Sequence, residues 1–163
     1  MKYLNWTDYY KDLDIPKTWE NISYSNDEFP SFSCKGYTIW INSPNKKERE
    51  ENYLGIGYDN LDDYEDWIFV VTYTHDYGTV THRDLLSSMD FKKVKEFVSK
   101  PDMECIKGIM LEQFNYQMDF EKWTDSTLLA FLRDLMEGKT EYCLDNNFPK
   151  ELMTDFLKEN KHE

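Results

Sequence analysis

Apolar and polar positions along this chain repeat with two different periods, and the change of period divides the sequence. Near the start, Trp6, Tyr9, Tyr10 and Leu13 fall at helical spacing, and Ile15-Pro16 stops the turn because the residue before proline is pushed out of the α conformation. Residues 17–31 keep no period and are rich in Ser, Asn, Asp and Pro, which predicts a loop that pins Trp19 and Phe29 into the core. From Gly36 to Ile41 the β-branched and aromatic content predicts a strand, turned by Asn42-Ser43-Pro44-Asn45. A second strand is expected over Tyr53–Tyr58, with Leu54, Ile56 and Tyr58 on one face. Trp67–His75 is the most strand-like stretch, and Asp76-Tyr77-Gly78 is expected to return it into a partner strand over Thr79–Arg83.

Beyond Asp90 the period moves from two towards 3.6. Phe91, Val94, Phe97 and Val98 share one helical face behind the capping residue Asp90, and Lys100-Pro101 ends that helix. Met103, Ile106, Met110 and Phe114 form a second stripe. Leu128, Phe131, Leu132 and Leu135 form a third, opened by Thr124 or Asp125 and closed by Gly138. Pro149 suits the first turn of a last helix that buries Leu152, Met153, Phe156 and Leu157. Strands first and helices afterwards predict an α+β fold: an antiparallel sheet of about four strands in the N-terminal half, with helices from the C-terminal half packed on one face.

Size and composition agree with that outline. The 163 residues carry no internal repeat or Gly/Ser-rich linker, so a single globular domain over 1–163 is expected, large enough to fold without a disulfide or metal. Aromatic residues make up 17% of the chain, enough for a core with tyrosines to spare for contacts. No run approaches the roughly 18 apolar residues of a membrane span, and Met1-Lys2-Tyr3-Leu4-Asn5-Trp6 lacks the apolar region of a secretory signal. Cys34, Cys105 and Cys143 are widely spaced and form no CxxC pair, which fits buried free thiols in a reducing compartment. A cytoplasmic protein with no membrane association is the expectation.

Charge changes the picture more than any motif does. Net charge is −13, and the segment from Glu50 to Asp66 supplies seven carboxylates (Glu50, Glu51, Asp59, Asp62, Asp63, Glu65, Asp66) and no Lys or Arg. Tyr53, Tyr58 and Tyr64 are interleaved with them. Such a run attracts cationic surfaces and repels phosphates, so these ten residues are the expected binding set, for a basic protein partner of the nucleic-acid-handling class. Direct binding of nucleic acid is not expected. Carboxylates projected at phosphate-like spacing can displace DNA or RNA, the way small inhibitors of restriction and CRISPR effectors and nuclease-immunity proteins act, and tyrosines between them can stack on Arg guanidinium groups.

The chemistry that competes with this reading is sparse. His75 and His82, with Asp76 and Asp84 beside them, are the nearest approach to an acid–base pair. A three-residue Asp76-Tyr77-Gly78 loop, however, sets His82 against Thr72 and puts the two imidazoles on opposite sheet faces. In Asp59–Asp66 Leu61 and Tyr64 interrupt the alternate oxygen ligands of a calcium loop and no central glycine exists, and Gly55-Ile56-Gly57 lacks the third glycine of a dinucleotide fingerprint. No GxSxG, HExxH, Walker or kinase signature occurs. No cofactor, metal or catalytic residue is expected. The alternatives are a small hydrolase using carboxylates or the His75/His82 hairpin, and an accessory protein with no active site.

Overall fold

A computed structural model of the chain describes residues 6–74, 84–115 and 117–161. They fall into two compact units, the first holding residues up to Tyr73 and from Asp84 to Lys100, the second holding Thr74 and the residues from Pro101 onward. The fold is α+β: among the described residues the strands lie in the first unit with three of the α-helices, and the second unit holds the other three, so most helices fall in the C-terminal half.

The first unit is built on an antiparallel meander of five strands rather than four, in the order β1-β2-β3-β4-β5: Glu20–Asn21, Ser31–Cys34, Tyr37–Ile41, Phe69–Tyr73 and Leu86–Ser88. The β2–β3 hairpin turns through Lys35 and Gly36, both at positive φ (51° and 88°), as a two-residue hairpin that follows the sheet twist requires. Register places Phe32, Ile39 and Val71 in one row and Ile41 beside Phe69, so one face of the sheet is a continuous apolar surface. Helix α3 (Phe91–Val98) lies across it, with Phe91 5.2 Å from Phe69, Phe97 5.6 Å from Tyr37, and Val94 and Val98 buried. The Asp90 carboxylate caps α3 by accepting the Lys92 N–H at 2.9 Å. The short helix α1 (Thr7–Tyr10) and the loop after it bring Tyr10 and Trp19 onto Phe32.

Three expectations change here. Tyr53–Tyr58 is not a strand: Lys46–Gly55 is a helix, α2, capped by Asn45, whose side chain accepts the Glu48 N–H at 3.2 Å. Its charged residues are exposed for most of its length, so it leaves no apolar stripe to mark it in the sequence. The strand beside β4 is Leu86–Ser88, and Val71 faces Leu86 where the three-residue loop had set Arg83. His75, His82 and the strand expected over Thr79–Arg83 lie outside the described residues. Finally, the loop predicted for 17–31 contains β1 and the start of β2.

The second unit is helical: α4 (Met103–Gln113), a 3₁₀ turn at Phe120–Lys122, α5 (Asp125–Met136) and α6 (Lys150–Glu159). Ile106, Met110, Phe120, Leu128, Leu129, Leu132 and Met153 are fully buried and make its core. Asp102 accepts the Cys105 N–H at 2.9 Å and Thr124 accepts the Thr127 N–H at 3.2 Å, so both α4 and α5 start on side-chain caps. Gly138, at φ 71°, ends α5 in the left-handed conformation that a side chain disfavours. Pro149 stands one residue before α6, as its cap. Among the described residues no helix is long and apolar enough to cross a membrane.

Because α3 covers the apolar face of the sheet, its cap should show in the stability of the first unit. Asp90→Ala is expected to cost about 1 kcal/mol, read as a lower urea midpoint at unchanged slope, with Asp90→Ser recovering most of the loss.

Candidate acidic interaction surface

Between β3 and β4 the chain makes a long excursion, residues 42–68, that carries α2 and the whole acidic segment. Hydrogen bonds hold the two ends of this excursion together. The Asn42 N–H donates to Ile68 O at 2.7 Å, and the Asn42 side chain accepts from Ser43 N–H at 2.8 Å and from Asn52 Nδ2 at 3.2 Å. Asn52 Nδ2 also donates to the Tyr9 hydroxyl at 3.1 Å. Ser43 Oγ donates to Glu48 at 2.6 Å, pinning the first turn of α2 to the end of β3.

Arg49 ties the two ends most tightly. It is 3% exposed. Nη1 donates to the carbonyls of Ser43 (3.1 Å) and Pro44 (3.0 Å), while Nε and Nη2 grip Asp66 at 2.6 and 2.9 Å. A planar guanidinium is the one side chain that can hold a carboxylate bidentately and two carbonyls at once. The hydrogen bond from Arg49, above all, holds the Asp66 carboxyl well below the usual range, at about 2. Tyr64 completes the cluster by donating its hydroxyl to Asp66. Burial first, and then that hydrogen bond, push its phenol up to about 12.

The seven carboxylates of the acidic run therefore differ in what they can offer. Asp66 is committed to Arg49. Glu50 and Glu51 lie 3.8 and 3.9 Å from Lys46 and Lys47, one helical turn back, in exposed pairs that are individually weak. Asp59, Asp62, Asp63 and Glu65 are exposed on the loop after α2, and none of them pairs with a cation among the described residues. An Asx turn, Asp62 N–H to Asn60 Oδ1 at 3.0 Å, and a turn from Tyr64 N–H to Leu61 O at 3.1 Å shape that loop.

The three tyrosines come together instead of projecting separately. Tyr53 and Tyr58 stack with centroids 4.0 Å apart and planes 6° from parallel, and Tyr64 meets Tyr53 edge-on at 5.1 Å. In the same stretch of chain Leu54, Ile56, Tyr58 and Leu61 are 40%, 44%, 51% and 39% exposed. The expected binding set thus occupies one excursion and separates by role: Asp66 and Tyr64 in the anchor, Tyr53 and Tyr58 in a stack, Glu50 and Glu51 beside lysines, four carboxylates unpaired. Sequence reasoning did not single out Arg49, Ser43 or Asn52, which position the segment. Arg49 stands one residue before the acid-only run, and that adjacency was the available signal.

Cys34 and Cys105 are buried and Cys143, expected to be buried, is exposed; all three are free thiols, and burial pushes the Cys34 thiol up. Lys107 lies 3.4 Å from Glu104 and 3.6 Å from Asp125, an ion-pair cluster joining α4 to α5. Among the described residues no group of three or more His, Cys, Asp or Glu is placed to hold a metal ion.

Removing Arg49 strands Asp66 and two carbonyls, so Arg49→Ala is expected to cost about 3–5 kcal/mol in chemical denaturation, with Arg49→Lys recovering only part because an ammonium has no fork. Asp66 gives a pH signature. Its folded pKa lies below its unfolded value, so its contribution is complete above the ordinary carboxylate range and drains away as pH falls through about 2. Asp66→Asn should cost about 1–2 kcal/mol at neutral pH, and thermal melts of the variant should show a flatter loss of stability between pH 4 and 2 than melts of the parent protein. Comparison of the chain with family models, with curated proteins and with solved structures finds no match.

Proposed function

We propose that this protein is an acidic protein-binding module whose surface between α2 and β4 occupies the basic site of another protein. The observation that carries the reading is the set of four exposed carboxylates, Asp59, Asp62, Asp63 and Glu65, that no cation neutralises among the described residues while their neighbours in the same excursion are paired. Local negative charge left uncompensated on an anchored loop favours encounter with a cationic surface and disfavours phosphate. The exposed Leu54, Ile56, Tyr58 and Leu61 add apolar contact area, which a surface serving solubility alone does not need.

The class of partner that best fits is a protein that handles nucleic acid, because its phosphate-binding site presents the clustered Lys and Arg that these carboxylates complement. Occupying that site makes the module an inhibitor of the anti-restriction, anti-CRISPR or nuclease-immunity kind. The three free thiols fit an encounter in the reducing cytoplasm.

The decisive comparison is between the parent protein and a variant carrying Asp59→Asn, Asp62→Asn, Asp63→Asn and Glu65→Gln. These changes keep side-chain shape and, being on the surface, should each alter stability by less than about 0.5 kcal/mol. Used as baits in host lysate at low and high salt, the parent should retain a basic protein that salt releases, and the variant should retain little of it. Kinetics with the recovered partner should show a slower association rate and a shallower salt dependence for the variant. Equal capture by both proteins at low salt means the loop is only a solvated face, and the reading fails.

A further inference from the structure

The proposed docking surface, on whose reading this inference rests, has a distinct place for one kind of side chain. Tyr53 covers one face of Tyr58 at 4.0 Å and 6°. Tyr64 braces Tyr53 from the side, and Tyr64 is itself held through Asp66 to the buried Arg49. Tyr58 nevertheless remains 51% exposed, and among the described residues Tyr53 is the one ring that stacks on it. Its orientation is thus fixed from within while its outer face stays open. Exposed Leu54, Ile56 and Leu61 lie around it in the chain, and Asp59, Asp62 and Asp63 follow within five residues.

We propose that the outer face of Tyr58 receives an arginine guanidinium from the basic partner. Two properties of the site select arginine over lysine. A guanidinium is planar and weakly hydrated, so it stacks on an aromatic face at little cost in lost solvation. Its edge still carries donors, which stay available to carboxylates such as those that follow Tyr58 in the chain while its face is stacked. An ammonium is compact and strongly hydrated, and it satisfies the carboxylates equally well without touching the ring. A surface that copied only the phosphates of a nucleic acid would need the carboxylates and no stacked ring.

Two peptides of equal charge, hexa-arginine and hexa-lysine, test the inference on the full-length protein at low salt. Titration calorimetry gives the affinities and NMR of the tyrosine ring protons gives the location. Hexa-arginine should bind at least about threefold more tightly and shift the Tyr58 and Tyr53 ring resonances. The preference should vanish in Tyr58→Ala and persist in Tyr58→Phe, which keeps the ring and the stack. Equal affinity for the two peptides, or an arginine preference that survives Tyr58→Ala, overturns the inference while leaving the acidic-surface reading standing. Binding of neither peptide removes both. Circular dichroism of the two variants confirms that a lost preference is not a lost fold.

Discussion

One guanidinium determines whether the acidic segment has a shape at all. The excursion from β3 to β4 carries eight carboxylates between Lys46 and Asp66 against three cations. Left to itself such a stretch repels its own charges and stays extended. Arg49 opposes this by bonding to both ends of the excursion, the carbonyls after β3 and the carboxylate before β4, from a position on the helix between them. Closing the excursion there also brings Asn42 to Ile68, so β3 and β4 begin their ladder in register.

A buried ion pair is rarely a gain in stability over a well-packed apolar pair, because both charges must give up their water. Here Asp66 keeps 29% of its side-chain surface and Arg49 keeps 4% of its own, so the cost falls mainly on the guanidinium. Its donors are nearly all used, which is the condition under which burial becomes tolerable. What the arrangement secures is a unique geometry: an apolar pair could bring the ends together but could not also satisfy the Ser43 and Pro44 carbonyls. Tyr64 transmits that geometry outward. It bonds to Asp66 through its hydroxyl and meets Tyr53 through its ring, so the tyrosine stack is connected to the sheet through a chain of fixed groups.

Much of this fold was legible wherever one face of an element is apolar. β3, β4, α3 and α5 follow from Tyr37–Ile41, Phe69–Tyr73, the Val94/Val98 stripe and the Leu128/Leu132/Leu135 stripe, and the caps Asp90, Thr124 and Gly138 mark their ends. Elements stabilised mainly by tertiary pairing were not legible. β1 is two exposed residues that exist as a strand through Ser33 and Phe32 opposite them, and α2 is a charged helix with no apolar stripe. The boundary between the two units falls at Lys100-Pro101, which in the sequence reads only as a helix stop. For the expected binding set, sequence reading treated the seven carboxylates of the segment as equivalent. Which of them are neutralised depends on contacts one helical turn back and, for Asp66, seventeen positions away.

That inequality bears on what kind of mimicry the surface could support. A nucleic acid presents phosphates at regular spacing with bases turned away, so a faithful charge copy would hold its carboxylates in a row and keep apolar groups hidden. The end of α2 and the loop after it do the opposite, exposing Leu54, Ile56, Tyr58 and Leu61 in the same stretch of chain as the unpaired carboxylates. Under the proposed function, charge then governs the rate and reach of encounter, while the apolar and stacked groups govern how long the complex lasts. A partner that merely binds polyanions would gain the first and not the second. The proposed target is therefore better described as a basic site with an exposed apolar or arginine-rich floor than as any phosphate-binding groove, and discrimination among basic proteins would come from Tyr58 and its neighbours more than from the net charge.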